Sequence, residues 1–285
     1  LVVAGGMESM SQAPYLVPSA RTGARLGDAK LVDAMVHDGL WDVYSNKHMG
    51  LTGELVANEY QISREQQDEF AAASHEKAAA AWEAGKFDAE TFDVSVPQRK
   101  GDPLIVRRDE GVRAGTTAEG LSGLRPAFAK DGSVTAGNAS QISDGASALV
   151  VASEAAVEKH GLKPLAEVTA YASGGMAPEW VMMAPKAAVE NLEARSGMSR
   201  HDFDLIEINE AFAVQVLAFL DHFQIADDDP RVNPMGGAIA VGHPLASSGI
   251  RLMTNLARDF EANPDARYGI TTMCIGLGMG GTVIW

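Results

Sequence analysis

Cysteine is the scarcest functional residue here: the 285 residues hold one, Cys274. No intramolecular disulfide can form, which suits a reducing compartment. No His/Cys cluster has zinc spacing, and a lone cysteine makes a structural zinc site untenable, so no metal is expected. Basic residues are also few, 23 Lys and Arg against 38 Asp and Glu, for a net charge of -15. That balance argues against a nucleic-acid surface, which needs clustered Lys and Arg, while leaving room for a local basic patch facing an anionic ligand. No uninterrupted apolar run approaches the length of a membrane span, and no signal-peptide pattern stands at Leu1. The expected setting is soluble and cytoplasmic. No low-complexity segment is present. Nor does a G-x-G-x-x-G turn follow a strand: Gly276-Leu277-Gly278 has two of the glycines, but a strand follows where a helix should.

What is present fits an ordinary globular protein, with 46% apolar and 21% charged residues. Leu1–Gly6 reads as a short buried strand entering a glycine turn. With no element before it to pack against, it carries the expectation of a segment preceding Leu1, removed or present as a separate chain. Ser9–Asp28 reads as a long excursion, with helical patterning around Asp28–His37 and Met49–Tyr60. Ser63-Arg64-Glu65-Gln66 is a capping box opening a helix over Arg64–Ala84 that Gly85 ends. Pro97–Lys130 reads as loops with short extended pieces. Strands are expected at Ala146–Ser153, Leu165–Tyr171, Phe203–Ile208, Gly269–Cys274 and Thr282–Trp285. Helices are expected at Glu154–His160, Pro185–Arg195, Ala211–Phe223 and Ala246–Phe260. Strands alternating with helices predict an α/β sandwich with a largely buried sheet. Leu1–Gly6 and Ile270–Gly276 echo each other, as do Asp144–Ser153 and Gly281–Trp285, consistent with two copies of one fold.

Three segments pair a reactive side chain with small residues. Asn209-Glu210-Ala211-Phe212-Ala213 puts an amide at a strand-to-helix junction, where an N-cap is the commoner role. Gly242-His243-Pro244 places an imidazole before a helix, where a capping or core histidine is the ordinary alternative. Cys274-Ile275-Gly276-Leu277-Gly278 sets a thiol at a strand end before a glycine turn. A lone cysteine is more often inert packing, but a thiol near its usual pKa needs little tuning to trade protons near neutrality. Amide, imidazole and thiol together can bind a carbonyl oxygen and move protons around a thioester.

In order and wording these segments, with Asn233–Arg251 around the histidine, closely resemble the thiolase family of CoA-dependent acyltransferases. The resemblance covers essentially the whole chain. It implies a thiolase fold, a layered α-β-α-β-α arrangement of two similar domains. Residues 1–12 and 141–163 would be the remainder of the N-terminal domain, 13–140 an inserted loop domain, and 164–285 the C-terminal domain. It implies that Cys274 is the general acid/base at the α-carbon and that His243 activates a nucleophilic thiol and helps bind the oxyanion. Asn209 would hold a water in that oxyanion hole, and the Gly276 amide would give half of a second. His48 and Met49 (in His48-Met49-Gly50), Ser140 (in Gly137-Asn138-Ala139-Ser140), Ala211 and Phe212 would line the pantetheine channel. CoA and acyl-CoA would be substrates, with no permanently bound cofactor, and the assembly a homodimer or homotetramer.

Two departures from the family pattern stand out. A thiolase needs a second, nucleophilic cysteine, and none is present, so these residues alone are expected to be inactive in acyl transfer. A separate N-terminal chain carrying that thiol is one arrangement that would complete the site; a non-catalytic acyl-CoA-binding or scaffold subunit is the alternative. The family's Met-Gly-x-Gly-Pro segment is Val181-Met182-Met183-Ala184-Pro185 here, which should narrow or reshape the acyl site.

Overall fold

The computed structural model describes residues 1–285. Strand β1 (Val2–Ser9) opens the chain. Helix α1 (Met49–Tyr60) is capped by His48, whose Nδ1 accepts the Gly50 amide at 3.0 Å. Helix α2 (Arg64–Glu83) starts at the expected capping box: Ser63 Oγ takes the Gln66 amide and Gln66 Oε1 takes the Ser63 amide. It stops as the chain enters Gly85 at φ +69°, a left-handed position that glycine adopts without steric cost. Strand β2 (Asp144–Val151) leads through an N-cap at Ser153 into α3 (Glu154–His160), ended by Gly161 at φ +61°. The second half runs through β3 (Ala170–Gly175), α4 (Ala184–Ser196, with Pro185 in its first turn), β4 (Leu205–Ile208) and α5 (Ala213–Phe223). It ends with α6 (Leu245–Ala262), β5 (Gly269–Gly276) and β6 (Met279–Ile284).

β1 and β2 form a two-stranded antiparallel sheet in register from Val2↔Val151 to Ser9↔Asp144. The other four strands form one sheet in the order β4-β5-β6-β3, with β4 and β5 parallel and the remaining pairs antiparallel. The echoed segments are thus the two antiparallel pairs β1–β2 and β5–β6. Helix α6 lies between the two sheets. Toward β1–β2, a Cβ added at Gly6 would collide with the carbonyl of Ala246, and Ser147 Oγ donates to the Ser247 carbonyl at 2.6 Å. Toward the larger sheet, Leu256 abuts Gly269. The far face of that sheet carries the main core, including Ile206, Ile208, Leu192, Phe219, Leu220, Ile270 and Ile284. Each fully buried side chain of this kind contributes about 1.5–3 kcal/mol.

Four expectations are corrected. Leu1–Gly6 is not a buried strand: Val3, on the uncovered face of the two-stranded sheet, is 73% exposed, and Val2, at the strand's end, is 64% exposed. Asp28–His37 is not helical. Strand pairing at Val32–Asp33 precedes a π-helical turn at Met35–Gly39, and Asp33 Oδ1 caps the Met35 amide. Leu165–Tyr171 is extended only from Ala170, where β6 first offers a partner at Ile284. The helix expected from Ala211 begins at Ala213, because Ala211 and Phe212 pair with another loop: Ser140 N donates to the Ala211 carbonyl at 3.0 Å, and Ala139 bridges Phe212.

Candidate active site

Parallel strands deliver residues from their carboxyl ends to one edge, where ligand sites on α/β sheets form. β4 ends at Ile208, and the Asn209 amide extends the ladder by donating to the Thr272 carbonyl at 3.0 Å, two residues before Cys274. Asn209 is therefore not a helix cap; Phe212 occupies that position for α5. Its Nδ2 lies 3.2 Å from His243 Nε2, while its buried Oδ1 has no partner. His243 does not cap either, since Pro244 stands at the N-cap of α6. The ring is held at its other nitrogen, Nδ1, 2.6 Å from Ser248 Oγ, and at the backbone by His243 N donating to the Gln141 carbonyl at 3.1 Å. Burial, followed by the nearby Arg251 charge, pushes the imidazole down to about 4, so it is neutral at physiological pH.

Cys274 sits at a break in the β5–β6 register, followed by Gly276 at φ +137° and Gly278 at φ +85°. A Cβ at Gly276 would meet open space, so glycine is needed there for its dihedral and leaves the backbone approachable. Burial pushes the Cys274 thiol up to about 11. The thiol packs against apolar side chains at the edge of a buried cluster, where Cys274 itself stays partly exposed. Cys274 borders an apolar cluster that contains Val181, Met182, Met183, Ala211 and Phe212, with Met49, Phe128 and Ala139 also packed on it. Val181 and Met182, two of the positions that depart from the family's glycine-containing segment, are thus buried in the cluster that the thiol borders.

The pantetheine candidates gather around the same cluster. His48 stacks on Phe128 with ring centroids 4.7 Å apart, and Phe128 meets Phe212 edge-on at 6.1 Å. Ser140 is fixed there by its bond to Ala211. His48 also has the structural job of capping α1, which its sequence context did not reveal. A surface cleft of ≈ 490 Å³, lined by Glu54, Arg64 and Ser133 among others, includes none of Asn209, His243, Cys274, His48, Met49, Ser140, Ala211 or Phe212.

Several supporting residues had no role that the sequence could assign. Glu210, fully buried, accepts from Ser74 Oγ at 2.7 Å, Asn233 Nδ2 at 2.9 Å and the Ile239 amide at 3.2 Å, tying α2, β4 and the Gly236–Gly237 turn together. Asn233 also pairs with the Ile208 backbone through both side-chain atoms, replacing a missing strand neighbour. Beneath the site lies a buried charged layer. The Arg251 guanidinium nitrogens are buried without hydrogen-bond partners. Burial pushes Glu90 up to about 7, Asp259 up to about 6, and Glu207 well above the carboxylate range. The sequence signal for Glu207 was an acid inside the otherwise apolar strand Leu205-Ile206-Glu207-Ile208. No group of three or more His, Cys, Asp or Glu is arranged to hold a metal ion.

Comparison with known proteins gives a consistent set of likenesses. The family model "Thiolase, N-terminal domain" matches residues 1–155, and "Thiolase, C-terminal domain" matches residues 162–285. An acetyl-CoA acetyltransferase of Cupriavidus necator is 52% identical over 280 residues, 98% of this chain and 70% of the relative. One from Pseudomonas aeruginosa is 50% identical with the same coverage. Among solved structures, human mitochondrial 3-ketoacyl-CoA thiolase superposes with a TM-score of 0.93 at 41% identity, covering 99% of this chain and 71% of that one. A complex of the same human enzyme with CoA matches at a TM-score of 0.92. No helix is long and apolar enough to cross a membrane.

Proposed function

The chain belongs to the thiolase family, and on that premise we propose that it forms the acid/base and acyl-CoA-binding part of an acetyl-CoA acetyltransferase. The reaction is condensation of two acyl-CoA molecules, acetyl-CoA foremost, to 3-ketoacyl-CoA, or the reverse thiolysis. The observation that carries the reading is the joining of Asn209 and His243 at 3.2 Å on the strand edge that also bears Cys274. A scaffold or simple binder has no use for all three.

The course is ping-pong through an acyl-enzyme. His243, kept neutral by burial, takes the proton of the attacking thiol. The sulfur attacks the thioester carbon, the bond to the CoA sulfur breaks, and the proton leaves with CoA. Asn209 Oδ1, buried and free, suits the water of the first oxyanion hole, and the Gly276 amide the second. Cys274 then exchanges a proton with the α-carbon of the second acyl-CoA. With its pKa near 11 the thiol rests protonated, ready as the acid of thiolysis, and as a strong base once ionised. His48, Met49, Ser140, Ala211 and Phe212 border the pantetheine, within a loop domain spanning residues 13–140 and its junction with the C-terminal domain at 164–285. The assembly is a homodimer or homotetramer in the cytoplasm.

The acyl-carrying thiol is not among these 285 residues, whose one cysteine is Cys274. The test is acetoacetyl-CoA thiolysis. A mass-verified 285-residue chain should show no turnover. A protein that also holds the second thiol should turn over, and Cys274→Ala should cut its rate by at least about 10²-fold. Turnover by the 285-residue chain would overturn the two-thiol assignment. CoA binding without turnover in either protein would favour the non-catalytic acyl-CoA-binding alternative.

A further inference from the structure

Ser248 touches no reacting atom in the scheme above, yet it is fully buried and bonded to the catalytic imidazole. Its Oγ lies 2.6 Å from His243 Nδ1 and 3.0 Å from the Pro244 carbonyl, four residues back on α6. A carbonyl oxygen can only accept, so the single hydroxyl proton of Ser248 is committed to it, the usual back-bonding of serine in a helix. The lone pairs of Oγ then face Nδ1, which must supply the proton of the bond between them. On the other side of the ring Nε2 faces Asn209 Nδ2, a donor, at 3.2 Å. With the hydroxyl and the amide so oriented, both contacts fit the same form: hydrogen on Nδ1, lone pair on Nε2.

We propose that Ser248 is a positioning residue that locks neutral His243 as the Nδ1–H tautomer, leaving Nε2 free to act as the base. The catalytic consequence rests on the acyl-transfer reading of this site. When the attacking thiol's S–H bond breaks, its proton forms the Nε2–H bond, and the ring becomes a cation still bonded to Ser248 through Nδ1–H. The new Nε2–H donates to the thioester oxyanion and then gives its proton to the departing CoA sulfur. No proton moves at Ser248. The lock matters because the alternative is close at hand. Asn209 Oδ1 is buried without a partner, and a turn of that amide would let it accept from Nε2–H. That form has no base facing the thiol.

The deciding experiment is a long-range ¹H–¹⁵N spectrum of the full 285-residue chain labelled at its 7 histidines, with the His243 signals assigned through His243→Gln. It is recorded near pH 7 without substrate, so it does not depend on turnover. The wild-type chain is expected to show protonated Nδ1 and bare Nε2. Ser248→Ala, which only removes the hydroxyl, should shift the majority to Nε2–H, and Ser248→Thr should restore the wild-type pattern. A wild-type ring carrying its proton on Nε2 overturns the proposal before any variant is made. An unchanged tautomer in a folded Ser248→Ala chain overturns the role of Ser248. In a protein supplied with the second thiol, Ser248→Ala should lower kcat at least about tenfold with KM little changed, as expected for a wrong tautomer. If the acyl-transfer reading fails, turnover is absent throughout while the spectra still decide the tautomer.

Discussion

The two sheets flanking α6 differ in how completely they are enclosed. In the four-stranded sheet, every residue of β4 is buried, and Ile206, Ile208, Ile270 and Ile284 pack into one core with α4 and α5. In the two-stranded sheet the inner face is so close to α6 that Gly6 has no room for a methyl group, yet the outer face shows Val3, Met7 and Val150 at 73%, 76% and 64% exposure. Apolar alternation in a strand therefore reports that a face is suited to burial, while the neighbouring layer determines whether it is buried. The chemistry follows the enclosed sheet: Asn209 and Cys274 extend from its parallel pair, and its surroundings drive the large pKa shifts at Cys274 and Glu207.

The comparison breaks most sharply at matched core and surface sites. Ile206→Ala should cost about 2–5 kcal/mol in urea unfolding, since it removes buried methyl groups and leaves a cavity. Val150→Ala, on the open face, should stay within about 0.5 kcal/mol. Similar losses at both sites would mean that something covers the outer face of β1–β2 in solution.

Next in size is the charged layer beside α6. Burial lifts the Asp259 carboxyl from its ordinary 3.8 to about 6 in the folded chain. Between those values the folded chain keeps a proton that the unfolded chain has lost, so this contribution to stability falls as pH rises through about 6. Asp259→Asn should therefore be more stable than wild type by about 3 kcal/mol at pH 8, with the gap closing near pH 4. A gap that does not change with pH would remove the buried-acid account of this layer.

The smallest effects separate two neighbouring residues on opposite faces of β1. Gly6→Ala should cost about 1–3 kcal/mol through overpacking against the Ala246 backbone. Met7→Ser should change thermal stability by no more than about 0.5 kcal/mol. Equal effects would show that the two faces of β1 are not as different as their burial implies.

Much of this architecture was legible because its signals are local. The Ser63/Gln66 capping box, the stop at Gly85, and the α3 span from Glu154 to Gly161 each depend on residues within a few positions. The motif segments at Asn209, His243 and Cys274 were likewise visible as pairings of reactive and small residues. What escaped was set at a distance. Leu165–Val168 has a strand-like composition but lies before the ladder, whose first bond runs from Thr169 N to the Ile284 carbonyl. Ala211 and Phe212 look helical but bond to Ala139 and Ser140, over 70 positions away. The partners of Glu210 also lie at a distance, Ser74 being 136 residues earlier.

The amino-acid sequence by itself determined the α/β alternation, the thiolase resemblance and the identity of the chemical groups, because periodicity, caps and motif spacing are properties of neighbouring residues. Only the tertiary structure decided the state of those groups. Desolvation raises the Cys274 thiol and depresses His243, and the contacts of Ser248 and Asn209 determine which imidazole nitrogen holds the proton. Those outcomes depend on what lies within a few ångströms in space, and at this site the partners come from separate strands, loops and helices brought together only by folding.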